Sequence, residues 1–444
     1  MMEGRTVSFV TLGCRVNQTD THLMRTGLEA RGLRTVPPEC EADVVVINTC
    51  TVTARAELSD RQAIRRARRA SPGARVVVTG CWAQTSPQAI ATQGGVDLVV
   101  GNTDRARLPD LVGELLGQPR GAPRVEVGDL ARARLEPVAP PARLDGRARA
   151  FVKVQDGCQH RCAFCIVPFA RGGSRSLAPA AVEAHVRRLV EAGHPEIVLT
   201  GIDLGHYGSD VRPRTSLAAL LDRLVQVRGV RWLRLSSMLP SYFTEDVLQI
   251  LTTSPAIAPH FHVPLQSGSD RILRRMRRPY TTATYRRVVE RLAGAIPRLG
   301  LGADVIAGFP GESETDFAAT LEMVRTVPFS YLHVFPYSER RGTAAAALPG
   351  RLNPHTVTAR ARQLREVGAA RRQEFHAAMV GRTEDVLVLE TRDPDSGDLT
   401  GLTGNYVEVT FAGPDHIMRR TTHVRVTGAG ETTTRGVLED ERAA

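Results

Sequence analysis

The sequence predicts an α/β fold in three parts: an N-terminal parallel-sheet domain, a barrel or partial barrel of repeated βα units, and a small C-terminal β-barrel. Three observations support this prediction. In the first part, continuous Val and Ile runs alternate with helical stretches, as is typical of parallel strands that are covered on both faces. In the second part, six strand-like runs recur at intervals of roughly 30 to 45 residues. In the third part, short β-rich runs are separated by turn residues.

The parallel-sheet domain is expected over residues 1–118. Its strands are predicted at VSFVTLG, ADVVVINT, ARVVVTG and VDLVVG, with helical stretches such as 60–70 between them. Residues 119–149 are rich in Pro, Gly, Ala and Arg, which is typical of a linker, and one strand could lie within it. We therefore place the end of the first domain near residue 118.

The barrel is expected over residues 150–379. Arginine-rich helical stretches separate its strands, and a closed or partial barrel is the natural way to bury repeated βα units. Its last stretch, 354–380, predicts one long amphipathic helix. Residues 380–444 contain the runs EDVLVLE, NYVEVTF and THVRVTG, which predict the small β-barrel. The six strands of the central barrel are predicted to begin near Phe151, Glu196, Arg231, His260, Gly302 and Tyr331.

Composition excludes several classes of protein. The chain has 444 residues, of which 42% are hydrophobic, and no apolar run approaches the ~20 residues that a membrane span needs. The N-terminus lacks a signal-peptide pattern, so we expect a cytoplasmic protein without a membrane partner. The net charge of +11 favours a polyanionic partner, although Lys153 is the only lysine and such an arginine bias is typical of genomic base composition.

The strongest chemical signal is the C-x3-C-x2-C motif formed by Cys158, Cys162 and Cys165. Three close thiolates can bind three irons of a [4Fe–4S] cluster and leave the fourth iron open for a substrate. The motif follows the first barrel strand, at the end of a barrel where active sites are built. The alternative is a zinc site with His160 as the fourth ligand. His160 lies two residues from each of its neighbouring cysteines, however, which is a poor spacing for a closed tetrahedral site.

Three further cysteines are far apart in sequence but share one structural position. Cys14, Cys50 and Cys81 each end a predicted strand, in TLGC, INTC and VTGC. Because the carboxyl ends of parallel strands meet at one edge of a sheet, we expect the three thiols to converge. A second iron–sulfur cluster with one open iron would suit such a site, and the alternative is three buried cysteines that act as small hydrophobic residues. Cys40 follows no strand end and is assigned no role.

The other predicted barrel strands also end in small and polar residues, in TGIDLG, LSS, HVPLQSG, ADVIAGFPGE and FPYS. In register around a barrel mouth, such residues favour a nucleotide-like cofactor, although each alone could be an ordinary turn. The sequence contains neither a P-loop nor a spaced G-x-G-x-x-G motif, which disfavours nucleotide hydrolysis and nicotinamide binding. Arginine clusters at 61–69 and 274–278 fit phosphate contact and ordinary solvation equally well.

These motifs resemble those of the methylthiotransferase family of the radical S-adenosylmethionine (SAM) superfamily over nearly the whole chain. The resemblance rests on TLGCRVNQ, INTCTVT, VTGCWAQ, DGCQHRCAFCIVP, RLSS, HVPLQSGSD, DVIAGFPGE and HVFPYSERRGT. It implies an N-terminal α/β domain, a partial (β/α)6 barrel of the radical SAM type and a C-terminal, OB-like TRAM β-barrel. TLGCRVNQTDT and LTGIDLGHYG are most similar to the branch that acts on N6-threonylcarbamoyladenosine at position 37 of tRNA.

The resemblance also implies roles for individual residues. The cysteines of the C-x3-C-x2-C motif would be catalytic, holding a [4Fe–4S] cluster whose open iron binds SAM, and reductive cleavage of SAM would give a 5′-deoxyadenosyl radical. The three strand-end cysteines would hold an auxiliary [4Fe–4S] cluster that carries the sulfur to be methylated and transferred. The SAM pocket would be lined by Gly201, Asp203, Ser237, Gln266, Ile306 and Gly308.

The partners implied are the anticodon loop of tRNA and an electron donor such as flavodoxin or ferredoxin, and a monomer is expected. Two alternative substrates stay open, namely isopentenyladenosine at position 37 and an aspartate of a ribosomal protein. A different class also stays open: a non-catalytic iron–sulfur electron carrier that binds RNA.

The C-terminal segment departs from what the resemblance implies. A TRAM domain is expected to grip tRNA, yet residues 380–444 hold seven basic and twelve acidic residues, a net charge of −5. The contacts with tRNA phosphates would then come from a local face of this segment with Arg419, Arg420 and Arg425. Our hypothesis is that the central barrel supplies most of them. The group that recognises the threonyl carboxylate is not evident, and Arg171 and Arg175 near the barrel mouth are the candidates.

Overall fold

The computed structural model describes residues 3–133, 135, 148–430 and 433–439. Its first domain is a parallel sheet with helices on both faces. The strands are β1 Thr6–Thr11, β2 Arg34–Thr35, β3 Val44–Thr49, β4 Arg75–Gly80, β5 Leu98–Val100 and β6 Arg124–Glu126. The helices are α1 Arg15–Glu29, α2 Ala54–Ala70, α3 Cys81–Thr85, α4 Pro87–Ala91 and α5 Leu108–Leu116. The strand order is β2-β1-β3-β4-β5-β6, and every neighbouring pair is parallel.

The central strand β3 shows why this sheet forms. All six of its residues are buried. Val44 and Val46 belong to the core beneath α1 and α5, whereas Val45 and Ile47 belong to the core that contains Ile64 of α2. Because successive side chains of a strand point to opposite faces, an uninterrupted Val and Ile run satisfies both layers of helices. The carboxyl ends of β1, β3 and β4 consequently lie side by side.

The sheet extends beyond the boundary predicted at residue 118. β6 pairs in parallel with β5, with Leu98 opposite Arg124, so the segment predicted as a linker over 119–149 contributes an edge strand. Residues 134 and 136–147 of that segment lie outside the described residues.

The central domain begins with a strand that leads into the C-x3-C-x2-C loop. Its strands are β7 Arg149–Lys153, β8 Gln155–Asp156, β9 Arg175–Ser176, β10 Glu196–Thr200, β11 Trp232–Leu235, β12 His260–His262, β13 Gly300–Ala307 and β14 Tyr331–Pro336. Its helices are α6 Val167–Arg171, α7 Pro179–Glu191, α8 Leu217–Val225, α9 Glu245–Thr253, α10 Asp270–Arg275, α11 Thr282–Ala295, α12 Glu314–Thr326 and α13 Pro354–Ala377.

The six predicted barrel strands are confirmed, and they form two parallel sheets, β11-β10-β7 and β12-β13-β14. A bridge between Leu233 and Ile257 joins the sheets, so the six strands curve into a partial barrel. The short strands β8 and β9 pair with each other beside it. The long helix predicted over 354–380 is α13, and it packs against β14.

The two faces of the barrel strands differ in polarity. Alternate residues such as Ile197 and Leu301 belong to the core under the surrounding helices. The residues between them face the other way and are often charged or aromatic, and Glu196, Arg234 and Asp304 are examples. The inner face of the partial barrel is therefore polar, as an active site requires.

The C-terminal domain is a closed five-stranded barrel with the order β15-β16-β17-β19-β18, which confirms the predicted small β-barrel. Its last residues, 440–444, lie outside the described residues. In the part of the chain that the structure describes, no helix is both long and apolar enough to cross a membrane. The strands are β15 Thr383–Arg392, β16 Leu399–Thr403, β17 Glu408–Phe411, β18 Thr421–Ala429 and β19 Thr434–Leu438.

The turn between β16 and β17 enters the base of the central barrel. Arg234 Nη1 donates to the carbonyl of Gly404 at 2.9 Å, and the Tyr406 ring stacks on His260 with ring centroids 4.4 Å apart. Arg15 Nη2 donates to the Tyr406 hydroxyl at 2.6 Å. Since Arg15 follows Cys14 directly, this turn links all three domains.

Candidate active site

Cys14, Cys50 and Cys81, the first triad, follow the carboxyl ends of β1, β3 and β4. The strand order places those three strands next to one another, and the predicted convergence is visible at Gly13. This glycine has a φ of +96°, and a Cβ placed on it would lie 2.9 Å from the Cys50 Cβ and 3.1 Å from the Cys50 Sγ. The chain therefore passes close to Cys50 only because residue 13 has no side chain.

Burial disfavours the anionic forms of Cys50 and Cys81 in the first triad. Burial raises the pKa of Cys50 to about 12, and the neighbouring Cys81 and Cys14 add to that rise. Burial also raises the pKa of Cys81, while the positive charge of Arg171 opposes it. All three cysteines are free of disulfides. Three converging cysteines, of which Cys50 and Cys81 have raised pKa values, are a donor set that a metal centre would stabilise as thiolates.

Cys158, Cys162 and Cys165, the second triad, lie on the loop between β8 and α6 and are half-buried. Backbone bonds shape this loop: Cys158 N donates to Gly172 O at 2.9 Å, and Cys165 N donates to Cys162 O at 3.1 Å. Arg278 Nη1 donates to the Cys162 Sγ at 3.1 Å. Burial raises the pKa of Cys165 to about 11, so this thiol too needs a positive partner to ionise.

Gly157 and His160 define the surroundings of the second triad. Gly157 has a φ of +74°, and a Cβ on it would overlap the Gly173 carbonyl. The His160 Nε2 is 2.8 Å from the Tyr242 hydroxyl and 3.5 Å from Asp203 Oδ2. These contacts engage the imidazole with oxygen partners, which disfavours the zinc alternative.

A cavity of about 200 Å³ lies between the loops of the two triads. Val52 and Thr53 come from the loop after Cys50, and Phe164 precedes Cys165. The barrel supplies the remaining lining residues: Gln266, Asp304, Ile306, Phe335, Pro336, Tyr337 and Ser338. One cavity is thus bordered by both cysteine-bearing loops.

Three of the residues predicted for the SAM pocket lie at this cavity or at the second triad. Gln266 and Ile306 line the cavity. The Cys158 Sγ is 3.6 Å from Asp203 Oδ2, within the range of a sulfur hydrogen bond. Gln266 has a φ of +65°, a strained conformation that is typical of residues at functional sites.

The other three predicted pocket residues occupy different surroundings. Ser237 is exposed after β11. A Cβ on Gly201 would lie 2.9 Å from Gln155 Oε1, and one on Gly308 would lie 2.5 Å from Val357 Cγ2 of α13. Gly308 also has a φ of +78°, so both its backbone conformation and the packing of the long helix favour glycine there.

Sequence reasoning missed a buried charge cluster where the first domain meets the barrel. Arg171 is 1% exposed and donates to carboxylates of both domains, so its interpretation as a receptor for a substrate carboxylate is wrong. Lys153 Nζ also pairs with Asp20. The available signals were the isolated lysine in an arginine-rich chain and the polar residues of the TLGCRVNQ motif.

A second missed group lies on the inner face of β12, β13 and β14. Asp304 Oδ1 is 3.0 Å from His262 Nε2 and 3.3 Å from His333 Nδ1. The two imidazoles lower the pKa of Asp304 against the effect of burial. The strand alternation at ADV and YLH was the signal that could have placed these side chains in the barrel.

The chain matches two family models and several known proteins. Residues 6–101 match the model described as uncharacterized protein family UPF0004, and residues 152–324 match that of the Radical SAM superfamily. The chain is 41% identical to the threonylcarbamoyladenosine tRNA methylthiotransferase MtaB of Aquifex aeolicus, over 92% of this chain and 97% of that protein. It is 36% identical to the tRNA-2-methylthio-N(6)-dimethylallyladenosine synthase of a Parafrankia species, over 93% of this chain and 85% of that protein.

A solved structure shares the fold. The radical SAM methyltransferase TsrM of Kitasatospora setae superposes with a TM-score of 0.57 at 18% identity, over 75% of each chain. This likeness concerns architecture alone, whereas the identity to the Aquifex protein extends over nearly both full lengths. The chain therefore belongs to the methylthiotransferase family of the radical SAM superfamily, and its predicted resemblance to the threonylcarbamoyladenosine tRNA methylthiotransferase branch is confirmed by its MtaB relative.

Proposed function

We propose that this protein is a tRNA methylthiotransferase that adds a methylthio group to C2 of N6-threonylcarbamoyladenosine at position 37, using SAM and two [4Fe–4S] clusters. Family membership implies SAM and one [4Fe–4S] cluster. The observation that carries the rest is a single cavity bordered by the loops of two cysteine triads. One triad alone would suffice for radical chemistry, and a second triad on the same cavity is suited to a sulfur donor.

The residues present fit iron–sulfur clusters at both triads. Each triad offers three thiols, so a cluster held there keeps one iron without a cysteine ligand. Each triad also lies beside an arginine with a buried N–H group that has no acceptor among the described residues: Arg171 Nε at the first and Arg278 Nη2 at the second. Buried donors without partners are unfavourable, and the sulfurs of a bound cluster would satisfy them.

A cluster held by Cys158, Cys162 and Cys165 would, together with SAM, supply radical chemistry for the adenine C2–H, whose proton is too weakly acidic for any side-chain base to remove. The chain's own residues align the reacting groups and exclude water. Phe164, Ile306 and Phe335 give the cavity an apolar wall, and Gln266 and Ser338 supply polar atoms that can orient a nucleoside.

The helix α2 supports tRNA as the partner. It begins beside the cavity, where Ala54 N donates to Ser338 Oγ at 3.0 Å. Both of its carboxylates are engaged elsewhere, since Glu57 pairs with Arg340 and Asp60 accepts the Cys50 N–H. Six arginines are then available to contact phosphates: Arg55, Arg61, Arg65, Arg66, Arg68 and Arg69.

The proposal includes partners that follow from the chemistry. Reduction of the cluster at the second triad requires a one-electron donor of the flavodoxin or ferredoxin type. We place the protein in the cytoplasm because its proposed substrate is the anticodon loop of tRNA, and we expect a monomer. The sulfur source must be a separate donor, because the sulfur transferred leaves with the product.

Mass spectrometry of tRNA nucleosides tests the proposal. The intact chain and its Cys158→Ala and Cys40→Ala variants are expressed in a host without methylthiotransferases. Methylthiolated threonylcarbamoyladenosine is expected with the intact chain and with Cys40→Ala, whose cysteine lies outside both triads, and not with Cys158→Ala.

Three other outcomes would redirect the assignment. Methylthiolated isopentenyladenosine would retain the chemistry and change the substrate. Unmodified tRNA from cells in which both clusters are present would favour an aspartate of a ribosomal protein. A reduced protein whose electron paramagnetic resonance (EPR) spectrum does not change on addition of SAM would favour an electron carrier.

A further inference from the structure

Arg171 lies at the junction of the first domain and the central barrel. It is the last residue of α6, six positions after Cys165, and its side chain is 1% exposed. Nη1 donates to both carboxylate oxygens of Asp156, at 2.9 and 3.0 Å. Nη2 donates to Asn17 Oδ1 at 2.6 Å and to Asp20 Oδ2 at 2.9 Å. Four bonds therefore hold the guanidinium in one orientation.

The fifth N–H donor of this guanidinium, at Nε, makes none of these bonds. Arg171 Nε is buried and has no acceptor in the described part of the chain. The Cys81 sulfur lies close to this end of α6, because α3, which begins at Cys81, packs against α6. Asn102 Nδ2 approaches the same sulfur at 3.8 Å and also donates to Ala170 O at 2.8 Å. Asn102 thus links the Cys81 sulfur to the residue that precedes Arg171, whose Nε is buried and unpaired.

The ion-pair network around Arg171 carries a net positive charge. Lys153, Arg105 and Arg171 contribute three positive charges, and Asp20 and Asp156 contribute two negative ones. The balance of one positive charge lies in a buried region, where electrostatic effects are strong. Hydrogen bonds to the sulfurs and nearby charge are the factors by which a protein adjusts the potential of an iron–sulfur cluster.

We infer that Arg171 is a positioning residue for the first triad: its guanidinium donates to sulfur at Cys81, orients the cluster held there and favours its reduced form. The inference rests on the proposed function, since it takes the first triad to hold a cluster. It also gives the segment 165–171, which contains α6, a role between the two sites. This segment begins with Cys165 of the second triad and ends with Arg171, the inferred donor to Cys81.

The test uses the full chain with Cys158, Cys162 and Cys165 all changed to Ala, so that only the first triad can hold a cluster. Arg171→Gln, Arg171→Lys and Arg105→Gln are compared in this background after reconstitution. Iron content, the EPR spectrum and the reduction potential are measured. Arg105→Gln is the matched control because Arg105 contacts the same carboxylates, Asp20 and Asp156.

Arg171→Gln is expected to make reduction at least tenfold less favourable than in the background protein, which for a one-electron couple is a fall of 59 mV. Arg105→Gln is expected to change the potential less and to leave the EPR spectrum unaltered. Arg171→Lys keeps the charge but has no planar fork, so its spectrum should change and its potential should fall by less than with Gln. If Arg171→Gln does not fold, this Lys variant alone tests the orientation.

Three results would overturn the inference. The first is an equal shift in Arg171→Gln and Arg105→Gln, which would indicate a general charge effect. The second is a spectrum and potential unchanged in Arg171→Lys. The third is the absence of any cluster in the background protein with Arg171 intact, which would instead contradict the two-cluster part of the proposed function and so remove the premise.

Discussion

The two cysteine triads are assembled in different ways. The second triad lies within one short loop, so its spacing is local and its shape comes from the bonds of that loop. The first triad collects residues from three strands, and only the parallel order β1-β3-β4 brings them together. The first site therefore depends on the strand order of a whole sheet, whereas the second depends on the conformation of one loop.

The arginines beside the two triads also differ in how many domains they contact. Arg171 beside the first triad is buried in a network that joins two domains. Arg278 beside the second triad belongs to the barrel alone, where it contacts Cys162 and Tyr280. We therefore expect changes at domain junctions to affect the first site more than the second.

The largest expected effect is the loss of one cluster, caused by a glycine-to-alanine change next to one triad. Gly157→Ala should abolish the cluster of the second triad, and Gly13→Ala that of the first, because each added Cβ overlaps the loop in a positive-φ conformation. Iron content should fall to about half in either variant, as expected when one of the two proposed [4Fe–4S] clusters is lost. Gly73→Ala is the control, since a Cβ there meets nothing within 4 Å. Full iron content in both test variants would contradict the assigned sites.

A change at the base of the barrel should lower stability and spare both clusters. Buried Glu196 pairs with Arg234 and Arg149, and they hold its pKa at about 2 despite burial. From the ordinary value of 4.5, this shift corresponds to about 3 kcal/mol of stability above pH 4.5, which disappears as the pH falls through 2. Glu196→Gln should therefore be less stable at pH 7 by about that amount.

Chemical denaturation of Glu196→Gln at several pH values measures this effect. The difference from the intact protein should narrow below pH 4.5, whereas Glu191→Gln, at an exposed position, should match the intact protein throughout. A difference that does not change with pH would show that the ion pairs are not its source.

A smaller effect is expected where the C-terminal domain contacts the first triad. Tyr406→Phe removes the bond from Arg15, at a cost of about 1 to 2 kcal/mol. Because Arg15 follows Cys14, the first cluster should be lost faster in air while the second is retained. EPR spectra of aliquots that are reduced after timed exposure to air distinguish them. Tyr207→Phe, which loses a bond to Leu177 O far from this turn, should leave both decay rates unchanged.

The smallest effect concerns tRNA and should leave both clusters intact. Arg65→Gln with Arg66→Gln on α2 should reduce the salt dependence of tRNA binding by about 1 to 2 in the logarithmic slope. Arg420→Gln with Arg425→Gln should change it less, because Arg425 already pairs with Glu439 in an acidic domain. Equal changes, measured by filter binding between two salt concentrations, would assign the tail an equal share of the phosphate contacts.

Local sequence was sufficient for much of the molecule. The Val and Ile runs predicted the parallel sheet, the recurring strand-like runs predicted six barrel strands, and strand ends predicted where Cys14, Cys50 and Cys81 would meet. Each of these inferences uses a pattern within one segment or a rule about the polarity of parallel strands. The cysteine positions could be predicted because a strand end is a local feature even when the partner strand is distant.

The tertiary structure alone decided which groups surround those cysteines. Arg171 contacts Asn17 across 154 positions of sequence, and the turn that carries Tyr406 reaches Arg15 across 391. A Cβ at position 308 would likewise overlap Val357 of α13, which is distant in sequence. The sequence by itself determined the strands, the cysteines at their ends and the family. The packing of separate domains determined the charges and donors at each site, because such contacts depend on how surfaces meet and leave no periodic trace in either segment.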